Sequence, residues 1–349
     1  MKSTKAVTAK DVAKAAGVSQ SAVSLALRGS KEISAKRTKH IQAVARKLNY
    51  YPQAAGQLLR SKRKNQIGVV IASDNCQDMM ASGFQAPILG ALEAICYERK
   101  IAYQLELHHG DSNDISNLPH QIAAGMVDGA LLIGDVGQDM YDALDQRPEF
   151  PWVSINEPTR YAVMMDFVGV TEQLLERVAG YGHRRVAYLG GPQRYLEHRL
   201  AYETFVRVGI KHGWDRVQKK DWVDFFSNES TRQKAQSVFD WTKKVMAKRV
   251  RPTAVICHGE PLARSVAQAA ALLGLEPGRD VSITSWGSRN EAERTWPAMT
   301  SVVYEHEPMV CEALEMLQAR INKPGLIKPQ NRIVGASIHE GISLGPCPS

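Results

Sequence analysis

The chain has 349 residues, 44% of them hydrophobic and 23% charged, with a formal net charge of +8. It is too long for one small core and too apolar for a disordered tail, so two or three packed units are expected. No apolar run reaches the roughly 18 to 20 residues that span a bilayer, and the opening MKSTKAVTAKDVAK puts charges where a secretory leader needs its apolar stretch. A cytoplasmic protein without membrane contact is expected. Five cysteines (Cys76, Cys96, Cys257, Cys311, Cys347) are odd in number and scattered, which predicts reduced thiols and argues against a disulfide framework or a zinc site.

The charge is unevenly placed. Residues 1–64 hold 15 Lys/Arg against two acids, Asp11 and Glu32, a net +13 in a chain of +8, so the remaining 285 residues carry −5. A basic segment of this kind on a mildly acidic body points to a polyanion such as double-stranded DNA.

Within that segment, KDVAKAAGVSQSAVSLALRGS reads as two short helices. Thr8 and Asp11 have capping-box spacing, which predicts a helix from about Ala9 to Ala16. Gly17 supplies a left-handed turn, Val18 plugs the corner, and Ser19 caps a second helix from about Gln20 to Leu27. Val12, Ala16, Val23 and Leu27 recur at helical spacing and are expected to pack together. A third helix starts near Ser34, carries Ile41, Val44, Ala45 and Leu48 on one face, and stops at Asn49. Such a trio makes a helix-turn-helix unit whose second helix reads base edges in the major groove. A helical hairpin that merely capped a larger domain would need neither so basic a surface nor a glycine turn followed at once by a second N-cap.

The linker YYPQAAGQLLRSKRKNQ admits a short helix from Gln53 to Leu59, but Gly56 costs it about 1 kcal/mol relative to Ala, so alone it is marginal. Beyond it, β-rich runs alternate with helical patterns: IGVVIA (67–72), AYQLEL (102–107), DGALLI (128–133), FPWVSIN (150–156), RRVAYLG (184–190), PTAVICH (252–258) and VSITSW (281–286). This alternation predicts βαβ units in two parallel sheets, with ligands at the carboxyl ends of the strands between two lobes.

An enzyme is not expected. The chain has no Gly-Lys dipeptide to end a phosphate-binding loop, and G-x-G-x-x-G, G-x-S-x-G and H-E-x-x-H are absent. His108-His109 and the acids from Asp111 to Asp114 read as a solvated loop, so neither a metal nor a cofactor is expected.

KDVAKAAGVSQSAVSLALRGS, ISAKRTKHIQAVARKLNYYPQAAGQLLR, QIGVVI, GHRRVAYLGGP (182–192) and RPTAVIC (251–257) together closely resemble the lactose-repressor (LacI/GalR) family of bacterial transcriptional regulators. The resemblance implies an α/β chain with a helix-turn-helix head (1–50), a hinge helix and basic linker (51–66), and a two-lobed periplasmic-binding-protein-like effector and dimerisation domain (67–349). It implies a cytoplasmic, nucleoid-associated repressor. The partners would be a second copy of the chain, a pseudopalindromic operator and a small-molecule effector. A small-solute binding protein shares the body but has no use for the head.

Residue by residue, the family's base-reading positions fall on Gln20, Ser21 and Leu25, with Arg28 nearby, and its phosphate-positioning residues on Thr8, Ser19, Ser24 and Tyr50. The hinge contributes Gln53, Gly56 and Leu59, the last matching a leucine that wedges into the minor groove. Many relatives have Arg where this chain has Leu25, so their operators do not carry over. In the pocket, Arg199 matches the ligand-clamping arginine and Asn156 is a polar partner. Gly259-Glu260 replaces Asn-Asp, and Ser285-Trp286-Gly287 replaces Gly-Phe-Asp, removing an acid that often grips a sugar hydroxyl. Glu260 and Trp286 complete the expected effector set; a sugar and a different small molecule both stay open. The tail ASIHEGISLGPCPS has no heptad zipper to join two dimers.

Overall fold

A computed structural model describes residues 8–27, 32–48, 50, 63–73, 75–108, 118–193, 195–215, 222–225, 231–323, 326 and 328–348. The chain divides into two compact units, Met1–Lys64 and Asn65–Ser349.

The first unit contains α1 (Ala9–Ala16), α2 (Gln20–Leu27) and α3 (Ala35–Lys47), at the predicted places. Thr8 closes a complete capping box with Asp11, and Gly17 caps the C-terminus of α1 with φ 64° and ψ 35°. The Ser19 hydroxyl accepts from the Ala22 N–H at 3.2 Å at the start of α2. Ser34 precedes α3 without a side-chain cap. Val12, Val23 and Ile41, one from each helix, are fully buried, and Ala13, Ala26 and Ala45 let the axes approach closely. Val18 and Leu27 pack against this core from its edge, as expected.

The second unit is built on twelve strands: β1 (Gln66–Ala72), β2 (Ala102–His108), β3 (Ala130–Ile133), β4 (Trp152–Ile155), β5 (Tyr161–Met165), β6 (Val186–Gly190), β7 (Val223–Phe225), β8 (Ala254–Cys257), β9 (Ser282–Gly287), β10 (Thr300–Val303), β11 (Gln330–Val334) and β12 (Ser337–His339). They form two six-stranded sheets, one lobe each, in the orders β11-β5-β4-β3-β1-β2 and β12-β10-β9-β8-β6-β7. Every pairing is parallel except β10 with β12, a short antiparallel edge. All seven predicted runs are strands; β5, β7, β10, β11 and β12 are additional.

Both faces of each sheet are covered, which is why the central strands are apolar throughout rather than alternating. In the first lobe Val69, Ile71, Leu131 and Ile133 face one layer while Val70, Ala130 and Leu132 face the other. In the second, Val186, Tyr188 and Ile256 alternate with Ala187, Leu189 and Cys257 in the same way. After β10 the chain returns to the first lobe through the helix His306–Asn322, which buries Met309, Val310, Ala313, Leu314 and Leu317. Near its end the Arg320 guanidinium lies 3.3 Å from the centroid of the Tyr161 ring and donates to the Trp152 carbonyl.

Candidate functional site

On the head, α2 turns Val23 and Ala26 into the core. Gln20 and Ser21 are therefore exposed at the helix's N-terminal end, with Ser24 and Leu25 half-buried beside them. Leu25 is not among the side chains packed against the head core, unlike Leu27 two positions on. The Ser19 hydroxyl accepts from Ala22 and keeps its own proton for another acceptor. Thr8 differs: its N–H and its hydroxyl both donate to the Asp11 carboxylate, at 2.8 and 2.6 Å, so its donors serve the cap first. Tyr50 packs against the core, its N–H donating to the Ala45 carbonyl at 2.9 Å. Arg28, Gln53, Gly56 and Leu59 lie outside the described residues.

In the body, the four expected effector residues all stand at carboxyl ends of parallel strands, where open α/β sheets present their ligand crevices. Asn156 follows β4 in the first lobe. It has a left-handed backbone (φ 65°), is 5% exposed, and accepts the Met165 N–H at 3.2 Å on Oδ1. Its Nδ2 has no hydrogen-bond partner among the described residues. Arg199 lies in the first turn of the helix Leu196–Lys211 after β6 and is exposed. Trp286, near the end of β9, is fully buried.

Glu260 is also engaged within its own helix. It opens the helix Glu260–Leu272, but both its carboxylate oxygens are held by Arg264, Nε at 2.7 Å and Nη2 at 2.5 Å. This i,i+4 fork engages both carboxylate oxygens and draws them towards Arg264 on the same helix. Burial raises the carboxyl, and Arg264 draws it back down.

Several residues at these strand ends had no signal in the linear sequence. Glu197 and His198 precede Arg199, and His258 follows β8 directly. The His198 and His258 rings are 4.3 Å apart by centroid, and His258 stacks on Trp286 at 5.0 Å and 8°. Burial, with a smaller contribution from His198, holds His258 well below the usual imidazole range. Burial pushes Glu197 up to about 7. In the first lobe, Glu157 is also pushed up to about 7, by burial and then by the nearby Asp135 and Glu197 charges. Phe84 of the first lobe meets Tyr304 and His306 at 5.6 and 6.0 Å. Aromatic rings, imidazoles and carboxyls from both lobes thus gather at these strand ends.

Comparison with known proteins agrees with this architecture. Residues 8–53 match the family model for bacterial regulatory proteins of the lacI family, and residues 175–344 match a periplasmic binding protein-like domain. The chain is 26% identical over 329 residues to the HTH-type transcriptional repressor PurR of Pasteurella multocida, spanning 90% of this chain and 92% of that protein. It is 24% identical over 330 residues to the ribose operon repressor of Escherichia coli, spanning 91% and 94%. Among solved structures, the lac repressor dimer bound to operator and the anti-inducer ONPF superposes with a TM-score of 0.80 at 19% identity, covering 97% of this chain and 99% of the other. A cellobiose complex of the transcriptional regulator CelR gives 0.68 at 21% identity, covering 97% and 100%. Over nine-tenths of its length the chain is thus similar to repressors of the lactose-repressor (LacI/GalR) family of bacterial transcriptional regulators, whose DNA-binding model its residues 8–53 match.

Proposed function

We propose that the chain is a repressor that binds a pseudopalindromic operator as a homodimer, with its affinity set by a small molecule held between the two lobes. The observation that carries this reading is the reading helix itself. It is capped by Ser19, buries Val23 and Ala26, and leaves Gln20, Ser21 and Leu25 on its other side within a unit of net charge +13. One head is too small for high affinity, and two-fold symmetry repeats its contacts on a second half-site. Residues 1–50 serve as the head, 51–66 as hinge and basic linker, and 67–349 as the effector-binding and dimerising body. A protein acting on operator DNA works in the cytoplasm, and association with the nucleoid follows from its charge.

The effector reading rests on Asn156, whose buried Nδ2 points to an acceptor on a ligand, and on the exposed Arg199 at the facing strand end. The relatives named for a ribose operon and for a cellobiose complex favour a small polar molecule for this chain as well. Regulation rather than catalysis is the activity, as throughout the family.

The test is footprinting on duplexes selected from a random pool. Protection of two symmetric half-sites, with affinity falling steeply as salt rises, is the expected result. Protection of a single asymmetric half-site by one protomer would overturn the dimer reading.

A further inference from the structure

We propose that Glu197, His198 and His258 bind one divalent transition-metal ion of the zinc type at the floor of the inter-lobe cleft. One ligand atom from each of the three lies within 4.8 Å of the other two. Zinc holds nitrogen and oxygen ligands at about 2.0 to 2.2 Å, so a small contraction of three side chains brings all of them onto one ion. Two imidazoles and a carboxylate are a borderline donor set, suited to zinc and its first-row neighbours rather than to calcium or magnesium. Three protein ligands leave a coordination position open for water or for a donor atom of a small molecule.

A second observation points to an ion independently of the spacing. His258 is only 4% exposed, yet neither of its ring nitrogens has a hydrogen-bond partner among the described residues. Leaving a buried polar atom unmatched is costly, and His258 carries two.

The surroundings hold these side chains in place. Trp286 stacks on His258 at 8° and sets the plane of its ring. Gly191 lies against His198 so closely that a Cβ there would fall 2.5 Å from Cε1 and 2.7 Å from Nε2. Glu197 and His198 come from the first turn of one helix and His258 from the end of β8, so the ligands meet only once the second lobe has folded.

The site lies in the cleft assigned above to the effector, but its test reads metal binding alone, so failure here leaves the DNA-binding reading standing. Full-length protein stripped with a chelator is titrated with Co²⁺ and followed by visible absorption, then back-titrated with Zn²⁺. The expected result is one Co²⁺ per chain, displaced by Zn²⁺, with no near-ultraviolet thiolate band. Glu197→Gln and His198→Ala should each bind at least about tenfold more weakly at an unchanged melting temperature, while His120→Ala, which removes an exposed histidine of the first lobe, binds like the parent. Absence of binding by the parent, a thiolate band, or parent-like affinity in either ligand variant would overturn the proposal.

Discussion

The indole of Trp286 lies flat on the imidazole of His258, with centroids 5.0 Å apart and planes 8° from parallel. Both rings are buried at the carboxyl ends of neighbouring strands β9 and β8, so the stack ties the cleft floor to the core beneath it. Trp286→Ala should cost about 3 to 5 kcal/mol of body stability, since it removes a whole buried aromatic. Trp286→Phe keeps a ring over His258 and should cost about 1 to 2 kcal/mol, smaller because most of the contact survives. Urea unfolding of the two variants decides it; equal losses would mean the stack itself contributes nothing.

At the other end of the chain, Asp11 accepts from both the Thr8 N–H and the Thr8 hydroxyl. Asp11→Ala removes that reciprocal cap and should destabilise the head by about 1 kcal/mol. Operator and random duplexes should both bind more weakly, with base preference unchanged, because the cap sets the position of α1 and reads no sequence. A changed preference in a selection from random duplexes would show that Asp11 acts on readout directly.

The head was legible in the sequence because its signals are local: a capping box, a glycine that must be left-handed, and three apolar faces at helical spacing. The body was legible where strands are continuous apolar runs, as in β1, β3, β8 and β9. It was not at β5, whose YAVMM follows β4 after five residues, nor at the edge strand β11, whose QNRIV is half polar and gains its pairing only from β5. In the cleft, Asn156, Arg199 and Trp286 were placed at strand ends by resemblance. The engagement of Glu260 by Arg264 one helical turn later is a spacing visible in the sequence that only the structure turns into a fork. Glu197, His198 and His258 gave no ligand pattern because two are adjacent in one helix and the third follows β8 far along the chain, and only the fold of the second lobe brings them together.

His306 opens the helix that returns from the second lobe to the first, between the Phe84 and Tyr304 rings. Burial lowers it to about 4 from an ordinary value of 6.5, against a smaller opposing effect of a hydrogen bond with the Gly83 backbone. The folded state therefore resists protonation that the unfolded state accepts. Its contribution is complete above about pH 6.5 and is lost as the pH falls towards 4, by as much as about 3 kcal/mol. Stability of the parent and of His306→Gln, measured by urea at pH 7, 5.5 and 4.5, should converge or cross as the pH falls. A constant difference would show that His306 protonates alike in both states.

Leu25 is half-buried on α2, two positions from the core residue Val23 and one from Ala26, and is not packed against the head core. An arginine there finds room for its stem along the helix and carries its guanidinium outward, towards the groove that Gln20 and Ser21 face. A leucine favours a thymine methyl, whereas an arginine favours the O6 and N7 acceptors of guanine. Leu25→Arg should accordingly shift the preferred base at one symmetric position in each half-site, by about 1 to 3 kcal/mol per altered pair, and leave the others as they were. The added charge should also strengthen binding to every duplex and steepen the salt dependence slightly. The head should melt close to the parent, because Leu25 is not packed against the head core. Parallel selections from random duplexes with parent and variant, together with thermal melts, check both parts. If the preference stays the same, α2 does not read through Leu25; if the head unfolds, Leu25 belongs to the core, and the reading face of α2 is narrowed to Gln20 and Ser21.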